Sequence, residues 1–190
     1  MKILLFTFVV TMSVVIQLSG QCLSKSYSTP VFKEIRKSFP VAAYDTLPEG
    51  SRKTIDFVTY DDQSQPLDQG SLILLKRNNF TEVYQVGIWF RLEKGKILGK
   101  YLYDSCGFCF SEESYEHRDT VKTSEVLRSY VTIENKRYES EIIKNYSDHI
   151  QTSDAFIIVQ GRRKHHGISR HTSDGKVTYE QEFYFGKKVK

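Results

Sequence analysis

Little in this chain interrupts a strand. Its four prolines all lie at or before position 66, so beyond that point no ladder loses a donor to proline. Cysteine is scarce, at Cys22, Cys106 and Cys109, and the odd count leaves one thiol outside any intrachain pair. After residue 20 the longest apolar runs are 71–75 and 155–159, far short of the roughly 20 residues a membrane helix needs. No sign of charge dominates: the formal net charge is +4, which argues neither for a nucleic-acid binder nor for a strongly acidic surface. The chain also lacks a Gly-x-Ser-x-Gly elbow, a His-Glu-x-x-His pair, a phosphate-binding glycine loop and a calcium loop. His149 and His171 have no recognisable partner in the sequence, and Asp61 with Asp62 fits a turn before Pro66 better than a catalytic pair.

What is present begins with an export signal. Lys2 precedes apolar runs at 3–10 and 12–18, and the small residues Ser19 and Gly20 follow, which is the layout of a signal peptide cleaved near Gly20. The expected location is therefore secreted or periplasmic. Removing residues 1–20 takes away only Lys2 and leaves a net charge of +3. The remaining length suits one domain with a proper core.

In the N-terminal segment 21–53, Thr29 can cap a short helix and Pro30 can occupy its first position. Val31, Phe32, Ile35 and Phe39 then share a face before Pro40 ends it. From Thr54 to the C-terminus the pattern is β. Segments 55–60, 71–77, 81–92, 96–103, 128–133, 137–143, 155–160 and 176–185 are rich in β-branched and aromatic residues. Turn residues at 61–66, 94–95, 134–135 and 173–175 separate them. The expected fold is mainly β, an antiparallel sheet or barrel-like domain with a short N-terminal helix. Along 81–92, Tyr84, Val86, Ile88, Phe90 and Leu92 make the more apolar face, so Trp89 is expected at a partly covered surface.

Gly87-Ile88 is followed by Gly95-Lys96-Ile97, and eighty positions later Gly167-Ile168 is followed by Gly175-Lys176-Val177. The series Gly87-Ile88-Trp89, Gly95-Lys96-Ile97 and Tyr101 is similar to the repeat of MORN-type β-hairpin proteins. Residues 174–177, Phe183 and 186–188 resemble a second, degenerate copy. The departures are about sixty intervening residues and Ser169 in place of the tryptophan. The resemblance implies a hairpin-built, non-catalytic interaction surface.

Three constellations are candidates for chemistry. Cys106-Gly107-Phe108-Cys109 is expected to close a short local disulfide in an oxidising compartment. As an alternative the pair acts as a thiol–disulfide or zinc centre, with Cys106, Cys109, His117 and His165 as ligands. The absence of a downstream proline removes the thioredoxin form of that reading. The basic run Arg162, Arg163, Lys164, His165 and His166 is a candidate anion site, or else a solvated hairpin loop. Asn79 and Asn145 begin glycosylation sequons if the source cell is eukaryotic. The resulting expectation is an exported binding protein rather than an enzyme, with no cofactor. Its ligand is an unknown protein, glycan or small molecule; nucleic acid and a membrane span are not expected.

Overall fold

The computed structural model describes Ile35 and residues 39–44, 46–116 and 121–189. The expected signal segment 1–20, Cys22 and His117 lie outside these residues. So does the predicted helix except at Ile35 and Phe39, where the Phe39 N–H donates to the Ile35 carbonyl at 2.8 Å. A 3₁₀ turn follows at Val41–Tyr44.

Among the described residues twelve strands form one antiparallel sheet in which almost every strand pairs with its neighbour in sequence. They are β1 (Arg52–Tyr60), β2 (Pro66–Arg77), β3 (Phe80–Glu93), β4 (Lys96–Tyr103), β5 (Cys109–Tyr115) and β6 (Lys122–Ile133), followed by β7 (Lys136–Tyr146), β8 (Ile150–Val159), β9 (Arg162–His165), β10 (Gly167–Ser173), β11 (Lys176–Tyr184) and β12 (Lys187–Lys188). β8 is shared: its second half pairs with β9 and its first half with β10. The sheet is open, with β1 and β12 at its edges, which corrects the barrel-like alternative.

Tight turns explain the meander. Six connections place exactly two residues between paired positions, and both residues have positive φ: 78–79, 94–95, 134–135, 160–161, 174–175 and 185–186. This is the type I′ geometry, whose twist matches that of the strands it joins. A two-residue loop lets each strand pair only with the next, so the sheet grows by addition.

The two glycine-bracketed segments adopt the same pairing position for position. Gly87 faces Tyr103 and Gly167 faces Phe183. Each hairpin has its register shift at the equivalent place, between Arg91 and Leu92 and between His171 and Thr172. The residues between them are not unrelated filler, because they form further hairpins of the same sheet.

The main core cluster lies on one face, here called inner, over β1 to β5, while Ile73, Val86 and Ile157 are buried on the other. On the inner face Leu72, Leu74, Trp89, Tyr103 and Cys109 are buried beneath Ile35 and Phe39. Phe39 stacks on Tyr44 and meets Phe57 edge-on, both at 5.4 Å between ring centroids. Trp89 is fully buried and Ile88 is 51% exposed, so the expected assignment of faces on β3 fails at these two residues, although Val86 and Leu92 of the expected core face are buried. The cause is Gly70 on β2. A Cβ there would stand 2.4 Å from the Trp89 ring, so the missing side chain makes the space in which the indole lies. Trp89 Nε1–H donates to the Ser71 carbonyl at 3.0 Å, which satisfies its one polar atom.

Candidate functional site

Alternation along paired strands places polar residues in two cross-strand arrays, one on each face. The inner array starts at Asp68, which accepts from Arg91 at 3.1 Å. It resumes at Glu112, bound by Arg128 at 2.9 Å. Arg128 also donates to Glu141 at 3.1 Å, and Glu141 accepts from Arg163 at 2.5 Å. Arg128 and Glu141 are buried, so each offsets the desolvation of the other. Between the two parts Tyr101 has its pKa pushed up to about 12, by burial first and by the Glu112 charge second. Burial, with the neighbouring Glu141 charge, also raises Glu139. Glu112, Arg128, Glu141 and Arg163 bond one another across β5 to β9 and act as a structural brace.

The outer face carries two adjacent rows. The first is apolar and runs from strand to strand in register: Ile88 faces Leu102, Leu102 faces Ser111, Ser111 faces Leu127, Leu127 faces Ile142, and Ile142 faces Ala155. Ile168 on β10 continues it. Ile88, Ile142 and Ile168 are exposed by 51%, 37% and 48%, while Leu102, Leu127 and Ala155 between them are half-buried and Ser111 is buried, so the row reaches solvent at three isoleucines. The second row lies two residues along each strand: Lys100 faces Glu113, Glu113 faces Glu125, Glu125 faces Lys144, Lys144 faces Ser153, Ser153 faces Arg170, and Arg170 faces Glu180.

Ion pairs knit the charged row together. Lys122 donates to Glu113 at 2.6 Å, and Lys144 donates to Glu125 at 3.1 Å. Arg170 meets Glu180 at 2.6 Å. The Lys122 hydrogen bond, aided by that from Tyr115, lowers Glu113 to about 2. Burial opposes ionisation of Glu125, but bonds from Lys144 and Tyr146 still hold it below its ordinary value. Where small Ser153 sits between Lys144 and Arg170, the outer face dips into an open depression of about 380 Å³, walled on one side by Ile168.

The sequence-based candidates are placed as follows. Cys109 is a free, buried thiol, so the expected Cys106–Cys109 disulfide is not formed. Asp104 is the reason. Its carboxylate accepts from the N–H groups of Cys106 and Phe108, both at 2.8 Å, and fixes a turn with Cys106 in the loop, while Cys109 enters β5 opposite Tyr103 and faces the core. Burial pushes the Cys109 thiol up to about 11 despite the nearby Arg128.

His165 lies on β9, four strands from Cys109 and so roughly 19 Å away at about 4.8 Å per strand. Among the described residues no group of three or more potential metal ligands converges.

The basic run is not a loop. Arg162–His165 is strand β9, and its side chains alternate between the two faces. Arg163 reaches the inner Glu141, while His165 packs between Phe156 and Phe183 at 4.4 and 4.8 Å and contacts Ser169 Oγ at 3.3 Å. His166 lies against Tyr184 and Phe185, and Arg162 and Lys164 are exposed. The five residues therefore do not converge on one point. Asn79 is exposed in a type I′ turn, and Asn145 is exposed near the end of β7.

Reading the sequence for chemistry missed the outer rows, because neither is contiguous in the chain. Their only trace is the recurrence of an aliphatic residue two positions from a charge, as in Lys100 and Leu102 or Ile142 and Lys144. Among the described residues no helix is long and apolar enough to cross a membrane. No protein-family model, no curated protein and no solved structure matches the chain.

Proposed function

We propose that this is an exported, non-catalytic binding protein whose outer sheet face is its interaction surface. One observation carries the reading: three exposed isoleucines, Ile88, Ile142 and Ile168, lie along one row of the outer face, with the charged row beside it from β4 to β10. Exposed apolar side chains with a polar border are the usual mark of a protein contact. The resemblance to MORN-type hairpins agrees with it, and the matched registers of the hairpins β3–β4 and β10–β11 support the repeat. Nothing comparable supports the thiol or zinc alternative, since Cys109 is sealed in the core with a thiol that resists ionisation.

A photo-crosslinking amino acid at Ile142, compared with one at Thr132 on the inner face, tests the surface. Discrete adducts from position 142 alone are expected. Equal labelling from both positions, or none from 142, contradicts the assignment. Export is tested separately by N-terminal sequencing of protein outside the cytoplasm: a start near Gln21 is expected, and a retained Met1 is not.

A further inference from the structure

We propose that the partner of the outer face is a second copy of this chain, docked face to face about a two-fold axis running along β7. The proposal rests on the outer face being an interaction surface and names what it binds.

A two-fold axis lying along a strand in the plane between two sheets reverses the order of strands in the second copy. It leaves each row opposite itself. Counting outward from β7, β6 then opposes β8, β5 opposes β10, and β4 opposes β11. In the charged row this sets Lys100 against Glu180 of the second copy and Glu113 against Arg170, each an opposite-charge pair made twice. Lys144 meets its own copy at the axis. Each is already held by its own Glu125 at 3.1 Å, which offsets the like-charge contact. The existing pairs within one chain become shared between two.

Size follows the same symmetry as charge. On β8 the row positions are Ser153 and Ala155, the smallest residues along either row apart from Ser111, and beside them is the depression of about 380 Å³ between Lys144 and Arg170. On β6 the corresponding positions are Glu125 and Leu127. The reversal therefore seats a carboxylate between two cations and Leu127 over Ala155. At the centre, Ile142 lies on Ile142. An isologous contact requires this kind of self-complementarity, large opposite small and acid opposite base in one register. Sheets packed this way align within about 30° and interdigitate their facing side chains.

Sedimentation velocity on the mature chain, from about 1 to about 100 μM, reads the association directly. A reversible dimer is expected. Ile142→Lys and, independently, Ile168→Lys are expected to weaken it about tenfold or more with unchanged circular dichroism, because both side chains are exposed in the single chain. Ile142→Cys is expected to crosslink to itself under mild oxidation. Ile88→Cys, more accessible but on β3, four strands from the axis and so far from its own copy, is expected not to do so. A monomer at every concentration overturns the proposal, as does a dimer indifferent to both lysine substitutions or crosslinking at position 88 instead of 142. A monomer that still yields adducts of another mass from position 142 overturns self-association alone and leaves the interaction surface standing.

Discussion

At the scale of single residues, the sheet depends on a few side chains whose surroundings are not visible in the sequence. Trp89 lies on Gly70 beneath Ile35 and Phe39, and its truncation empties a large part of the core. Trp89→Ala is expected to cost about 3 to 5 kcal/mol in urea unfolding, whereas Ile88→Ala should stay within about 0.5 kcal/mol. Gly70→Ala is expected to destabilise severely, because its methyl group would meet the indole. Arg128→Ala leaves the buried Glu141 carboxylate without its main internal partner, and a loss of about 3 to 5 kcal/mol is expected. Cys109 should resist alkylation at pH 8 in the folded protein and react once denatured, since burial suppresses its thiolate. Non-reducing peptide maps should not join it to Cys106. With three cysteines in the chain, any intrachain bridge from Cys106 is left with Cys22.

At the scale of elements, legibility followed hydrophobic contrast. Strands with clear alternation or strong β-branched content, such as β4, β7 and β11, were readable, as were the turns at 94–95, 134–135 and 174–175. β5 escaped notice because Ser111, Glu112, Glu113 and Ser114 carry no apolar face. Its inward Glu112 is satisfied by Arg128 and its outward Glu113 by Lys122. β9 was hidden for the same reason, a basic run whose Arg163 finds Glu141. On β3 the misreading was confined to Ile88 and Trp89, an exposed isoleucine and a buried tryptophan that invert the usual contrast, and the glycine on the neighbouring strand explains the second. The outer rows left no more than the spacing of an aliphatic residue two positions from a charge, since each residue comes from a different strand. Turn chemistry offers a further check. Glu134 and Asn135 both hold left-handed φ, at 49° and 61°. Replacing them with Asn-Gly is expected to raise stability by about 1 kcal/mol in thermal unfolding.

For the whole molecule, the charged row couples stability to pH. Glu113, lowered from an ordinary 4.5 to about 2, contributes stability that is present above about 4.5 and lost as the pH falls towards 2. Glu125 acts in the same direction, and the raised Glu139 partly opposes both. At the alkaline end Lys122 is raised above 10.5 by its bond to Glu113, and Tyr115 is raised to about 12 by burial and then by Glu113. Their contributions are complete below the ordinary values and lost as the pH rises through the raised ones. A plateau of unfolding free energy between about pH 5 and 10, falling on both sides, is the expected profile.

The central claim is that the outer aliphatic row is a surface for contact and not an unrecognised part of the core. The most direct test is a triple variant, Ile88→Lys with Ile142→Lys and Ile168→Lys, measured for both unfolding free energy and crosslinking from an outer-face probe at Lys144. A stability within about 1 kcal/mol of the parent is expected, because all three side chains already face solvent, together with loss of the adducts. Unfolding of the triple variant, or a folded variant that keeps its adducts, would contradict it.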